Sequence, residues 1–304
     1  MKAVVKRIVS MIPVLIGVVL LTFFLLRVVP GDPVSILLGE HYSQETIDRL
    51  TRAMNLDKPL WEQFLSYLLG VFRGDFGVSY SMRKPVTDLI LEAFPHTVKL
   101  ALMGAVFAWA VGLVAGIIAA VRQNHLADHL FMGFSLAGVS VPIFMTSLFL
   151  QYIFSFKLGL LPLTSDGSLV SLILPAIALG WNSAGSVARM TRSSLIEVMQ
   201  ADFIDTARAK GLLRPAVIFG HALKNALLPV ITMMALQLSS MMSGAVITES
   251  VFAVPGIGRL ATLAIQNRDM PLLQGTIIFT TVIVVLGNLA ADLLYSVIDP
   301  RIRV

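Results

Sequence analysis

Long apolar runs alternate with short polar stretches along this chain. Residues 8–26, 100–121, 130–156, 167–188, 225–248 and 270–291 contain no Asp, Glu, Lys, Arg or His. A hydrocarbon layer about 30 Å thick is crossed by about 20 apolar residues in a helix, so each run is long enough to span it. Lipid offers the backbone no hydrogen-bonding partner, and continuous helix is therefore expected throughout each run. The pattern predicts an all-α integral membrane protein with six transmembrane helices.

The first run follows Lys2, Lys6 and Arg7. It exceeds the apolar core of a signal peptide, about 7–15 residues, and no small-x-small cleavage site follows, so it is kept as a span over 1–29. With the N-terminus inside, the inner connections hold 12 of the 23 Lys and Arg residues, six of them between 189 and 224. Basic residues favour the cytoplasmic side, which puts both termini in the cytoplasm, including the tail 299–304. The outer loop 30–96 is long enough to fold on the membrane surface. Within it Ser43 reads as a cap for a helix with apolar positions Ile47, Leu50 and Met54, and Leu60, Phe64, Leu65 and Leu68 predict a second amphipathic helix after Pro59. The remaining spans form a core over 97–298.

Gly112 and Gly116 give the second span a small-xxx-small face for close helix contact. Pro175 and Gly180 mark a possible kink in the fourth. From Ser250 the sequence "SVFAVPGIGRLATLAIQNRDMP" is apolar but interrupted, and predicts a short external or re-entrant helix.

Composition agrees with a membrane location: 56% hydrophobic, 13% charged, mean hydropathy +0.83, where a soluble domain carries about 25% charge. The net charge of +5 reads as topology, since no clustered basic face for nucleic acid is seen. The absence of cysteine excludes disulfides and thiolate chemistry.

Candidate chemistry is sparse. There is no phosphate-cradling G-x-x-x-x-G-K loop, so any ATP that drives this protein binds elsewhere. Asp75, Phe76 and Gly77 spell a kinase tripeptide without the motifs that give it meaning. His125 and His129 lie at ligand spacing beside Asp128, but no third partner is in view, and a solvated connection is expected instead. Met233, Met234, Met241 and Met242 read as packing. Arg27 and Lys99 are placed to snorkel. Glu249, Asn288 and Asp292 sit at span edges, where charge is costly; helix–helix hydrogen bonding and a translocation pathway both fit them. No catalytic residue and no metal site are predicted. An ion-coupled transporter or channel calls for inverted repeats or deep acidic groups, and an intramembrane protease for a motif this chain lacks.

One cytoplasmic stretch is polar, "DFIDTARAKGL", residues 202–212. Asp202 is placed to cap a short helix, with Asp205 and Arg208 paired on one side and Phe203, Ile204, Ala207 and Gly211 on the other. The small apolar face suits docking against a protein groove.

These residues resemble the EAA loop of permease subunits of bacterial ATP-binding-cassette importers, whose pattern begins E-A-A-x-x-x-G and ends in I-x-L-P. Asp205, Thr206 and Ala207 take the first places and Gly211 the glycine; of the final motif only Leu223 matches. "TARAKGL" with "HALKNALLPV", together with "RVVPGDP", "GDFGVSYSMRKPV", "FAVPGIGRLATLAIQNRDMP" and "DPRIRV", resembles the dipeptide, oligopeptide, nickel and glutathione branch. The resemblance implies a type I importer permease of the bacterial inner membrane that moves short peptides, with glutathione or a nickel species as alternatives. It implies a second homologous permease, two cytoplasmic ATPases that use ATP and magnesium, and an external solute-binding protein. This chain itself would bind no cofactor. Asp202, Phe203, Asp205, Thr206, Ala207, Arg208 and Gly211 would form the helix that couples the ATPases to the spans.

Overall fold

The computed structural model describes residues 2–28, 45, 48, 51, 52 and 57–298. The cap expected at Ser43, the positions Ile47, Leu50 and Met54, and the tail 299–304 lie outside the described residues, as do the side chains of Arg27 and Asp292. The described regular structure is helical, apart from a single bridge between Val78 and Pro85.

Helix α1 covers Lys2–Val28 and α2 covers Leu60–Phe72, starting directly after Pro59. Phe23 on α1 meets Phe64 edge-on, with ring centroids 5.3 Å apart, and Tyr67 at 6.0 Å. Aromatic edges of this kind add to simple burial. The amphipathic helix of the outer loop therefore packs on the first span through the face that Phe64 carries.

Helix α3, Val86–Val121, has 36 residues. At 1.5 Å per residue it is about 54 Å long, nearly twice the hydrocarbon thickness and longer than one crossing needs. It carries Pro95 inside it, where the sequence had suggested loop. Helix α4, Leu126–Ser140, and α5, Ile143–Leu150, follow, and α5 continues as a π-helical segment, Gln151–Lys157. The run 130–156 is thus not one helix. Proline at 142 lacks an amide to donate and forces Val141 into extended backbone, and the two halves bend by 105°.

Helix α6 covers Ile173–Val198. It begins six residues later than the apolar run and continues through Arg189 and Arg192. Pro175 falls in its first turn, where a missing amide costs nothing, so no kink forms there. Helix α7, Asp202–Ala209, is short, and α8 covers Arg214–Met242 with a π-helical segment at Val217–Ala222. Here too the expected run is cut, since α8 ends at Met242 and Gly244, at φ +110°, turns the chain into α9, Val246–Val251. Then come α10, Ile257–Gln266, and α11, Met270–Ile298. The interrupted stretch after Ser250 is α10 with its leading turn, as the sequence suggested.

Among the described residues three helices are long and apolar enough to cross a membrane, α3, α8 and α11 over 270–291, and the bent α4–α5 pair makes a fourth if it counts as one span. The centre of the bundle is the α3–α6 pair. A Cβ on Gly112 would lie 2.7 Å from the Ala184 carbonyl oxygen, and one on Gly116 would lie 2.5 Å from that of Ala188. Both are closer than real Cβ contacts, so the small-xxx-small face does bring two backbones together. Met241 is buried and Met242 packs beside it against Leu100, Leu174 and Phe252, in keeping with a packing role.

Candidate functional site

Two ends of the bundle carry polar structure. At one end α7 is built as the sequence suggested in part. Arg208 Nη1 donates to Asp205 Oδ1 at 2.9 Å, an exposed pair three residues apart. Asp202 stands in the first turn, where its charge complements the helix dipole, but Ala201 is the capping position and Asp202 makes no side-chain cap. The apolar side divides. Ile204 is fully buried and Ala207 nearly so, packed with Leu195 of α6 and Val217, Ala222 and Ala226 of α8. Phe203 is 45% exposed, and Gly211 is exposed. The apolar face expected to dock on another protein is therefore consumed within this chain. It welds α7 to α6 and α8, while Asp202, Phe203, Asp205, Thr206 and Arg208 stay exposed.

Gly211 ends the segment at φ +79°, the left-handed region that suits glycine, and a Cβ there would meet nothing within 4 Å. Its requirement is backbone shape, not space. Arg214 reaches back to donate to the Val121 carbonyl at 3.1 Å, which ties the start of α8 to the end of α3.

Nearby, Asp128 is not part of a solvated loop. It is 2% exposed, receives Arg192 Nε at 2.6 Å and Nη2 at 2.7 Å, and accepts the Asn124 amide at 2.9 Å. This two-pronged pair joins α4 to α6. His125 Nδ1 lies 2.9 Å from the Gln123 carbonyl, and among the described residues no cluster of potential ligands could hold a metal.

At the opposite end, two buried carboxylates cap helices. Glu249 is fully buried; its Oε1 accepts the Thr97 hydroxyl at 2.9 Å and its Oε2 the Arg259 amide at 3.1 Å, while Thr97 Oγ1 accepts the Ile257 amide at 2.9 Å. The first amides of α10 thus find partners on α3 and α9. Asp269, also fully buried, accepts the hydroxyls of Ser79 at 2.6 Å and Ser81 at 2.7 Å and the Ser81 amide at 2.9 Å, and its Oδ1 takes the Leu272 amide at the start of α11. Burial alone would push the Asp269 carboxyl up; the hydrogen bonds from Ser79, Ser81 and Tyr80 outweigh it and hold the group below the usual carboxylate range. On the loop before α6, hydrogen bonds from Ser168 and then Ser171 lower Asp166 to about 2.

The three expected pathway residues do not come together. Glu249 is in α9 and fully bonded, whereas Asn288 is exposed on α11, about 27 Å along the helix from Met270 at 1.5 Å per residue. Asp292 follows one turn later on the same helix. Sequence reasoning missed Thr97, Asp128, Arg192 and Asp269. Asp269 carried a readable signal, an acidic residue immediately before an apolar run. Thr97 carried none.

A bundle of apolar, membrane-length helices with a short polar helix fused to one end defines the class as an integral membrane protein. The chain belongs to the family described as binding-protein-dependent transport system inner membrane component: the family model covers residues 112–304, and the model of its N-terminal part covers 1–101. It is 39% identical to the dipeptide transport system permease protein DppB of Escherichia coli strain K12, over 98% of this chain and 97% of the relative. It is 42% identical to the di/tripeptide transport system permease protein DppB of Pseudomonas aeruginosa strain UCBPP-PA14, over 98% and 97%. The glutathione transport system permease protein GsiC of E. coli K12 is 39% identical, over 99% and 98%. Among solved structures, the MetNI methionine ABC transporter in inward-facing conformations shares the fold, with TM-score 0.57 and 16% identity over 69% of this chain and 96% of that one. An amino acid ABC transporter with histidines gives 0.52 and 18%, over 71% and 95%. The protein is a permease of the inner membrane.

Proposed function

We propose that this chain imports short peptides as one permease of an ATP-driven transporter, working by alternating access. The observation that carries the motor half of the reading is the two-sided α7. Ile204 and Ala207 fuse it to α6 and α8, so a push on its outer surface is transmitted directly to two long helices. Asp202, Phe203, Asp205, Thr206 and Arg208 meet the ATPase, and Gly211 sets the turn that lets α7 stand across the bundle end. In this reading the chain crosses six times with both termini inside and the loop 189–224 is cytoplasmic, which its six Lys and Arg residues support. The family supports partner ATPases and a binding protein, and our reading takes these as two ATPases using ATP and magnesium and an external binding protein, with a homologous second permease beside this one. Glu249, Asn288 and Asp292 are the candidate pathway residues, and Asn288, exposed on α11, is the one we favour.

The peptide cargo is supported by relatives named for dipeptides and di/tripeptides at 39–42% identity end to end. Glutathione is the second reading, supported by an equally similar relative, and nickel the third. The test is uptake by proteoliposomes holding both permeases, both ATPases and the binding protein. Import of labelled dialanine that depends on ATP and exceeds import of glutathione and nickel is expected. Import of glutathione or nickel without dialanine overturns the cargo, and dialanine import without ATPases overturns the mechanism.

A further inference from the structure

At the outer end of the bundle a recess of about 390 Å³ opens between α3 and α10, within the about 300–1,000 Å³ usual for small-molecule sites. Three of its lining residues are charged or titratable, Glu92, His96 and Arg259, and Met82, Leu260 and Leu263 supply apolar wall. Glu92 and His96 are four apart on α3 and so share a face. Arg259 stands on the opposite wall, its Nη1 fixed by the Ala253 carbonyl at 2.7 Å.

Each group is positioned yet unspent. Among the described residues the Glu92 carboxylate has one ionic partner, Lys84, at 3.7 Å, and both side chains are more than half exposed, which makes the pair weak and exchangeable. Among the described residues His96 Nδ1 is buried without a hydrogen-bond partner, with Gly167 packed so close that a Cβ there would lie 2.6 Å from it. With Nδ1 enclosed, the ring nitrogen left for a ligand is Nε2. The α10 wall is held rigid by Thr97 and Glu249, which cap its first turn. A carboxylate on one wall and a guanidinium on the other, with an imidazole beside the carboxylate, complement a small zwitterion that also carries an amide carbonyl.

We propose that this recess is a subsite for a free short peptide, with Glu92 receiving its ammonium group, Arg259 its carboxylate and His96 Nε2 its peptide carbonyl. The assignment rests on the peptide-import reading above. It requires that a peptide lacking either terminal charge bind more weakly, by about fivefold for one partly exposed ion pair.

The complete transporter in nanodiscs, without binding protein, is examined by saturation-transfer difference NMR with dialanine, N-acetyl-dialanine and dialanine methyl ester. Dialanine is expected to bind about fivefold more tightly than either blocked form. Glu92→Gln is expected to abolish discrimination against the acetylated peptide only, Arg259→Gln discrimination against the ester only, and Arg259→Lys to restore most of it. Equal binding of all three probes, or dialanine binding unchanged by both variants, overturns the proposal. So does loss of stimulation by the binding protein with peptide binding intact, which gives the recess to that protein instead. Import of dialanine by the unaltered transporter with its binding protein is measured alongside. Import without recess binding sinks the subsite alone, whereas failure of import sinks the peptide reading itself.

Discussion

The Thr97 hydroxyl donates to the Glu249 carboxylate at 2.9 Å and in the same position accepts the Ile257 amide at 2.9 Å, so one side chain of α3 links α9 to the first turn of α10. Thr97 is 1% exposed and Glu249 fully buried, so water cannot replace either bond. Thr97→Val keeps the shape and removes both bonds, and is expected to cost about 1–3 kcal/mol, the penalty for stranding buried polar groups. Thr97→Ser is expected to retain most of the stability. Thermal unfolding of the purified protein in detergent checks both, and equal melting temperatures for the valine and serine variants would show that the link is idle.

Asp269 offers a prediction with a pH sign. Its folded-state pKa lies below the ordinary carboxylate value, so its stabilisation is complete above that value and is lost as pH falls through the depressed one. Asp269→Asn should therefore lower stability by about 1–3 kcal/mol at neutral pH, since Ser79 and Ser81 lose their charged acceptor. The gap between the two proteins should stay constant from about pH 8 to 5 and narrow only below about pH 4. Melting curves across that range decide it; a gap that widened on acidification would reverse the sign.

The Asp128–Arg192 pair is open to a double-mutant cycle. Arg192→Ala leaves a carboxylate that is 2% exposed without its counter-charge, at a cost of about 3–5 kcal/mol. The paired change Asp128→Asn with Arg192→Ala should be less harmful than the sum of the single changes, with a coupling of about 1–3 kcal/mol. Additive single effects would mean that α4 and α6 are held together by packing alone.

The apolar runs made three crossing helices legible, α3, α8 and α11, because a bilayer imposes length and continuity on any crossing helix. Their ends were not legible. Helix α3 begins at Val86 and not near Leu100, since its outer turns are stabilised by packing of Val86, Leu89 and Ile90 on α10 and α11, contacts between segments far apart in sequence. The break at Pro142 was written plainly in the chain and hidden by the apolarity around it. At α7 the sequence predicted the short helix and the Asp205–Arg208 pair, but it grouped Phe203 and Gly211 with Ile204 and Ala207 on one docking face, and that face divides. Ile204 and Phe203 are adjacent and equally apolar; only tertiary packing separates the one that is buried from the one that is offered.

That separation makes a prediction with two readouts. Ile204→Ala empties a fully buried position among Leu195, Val217 and Ala226, and is expected to lower stability by about 2–5 kcal/mol. Phe203→Ala removes a side chain that is 45% exposed and should change stability by no more than about 0.5 kcal/mol. Its effect belongs on coupling: the assembled transporter should keep basal ATP hydrolysis while losing most of the transport that hydrolysis drives. Gly211→Val falls between, because φ +79° strains any branched side chain by about 1–2 kcal/mol and the turn that orients α7 is disturbed. Transport and melting temperature measured on the same three preparations should therefore rank differently. If transport simply follows stability across the set, Phe203 is not the contact through which the motor acts.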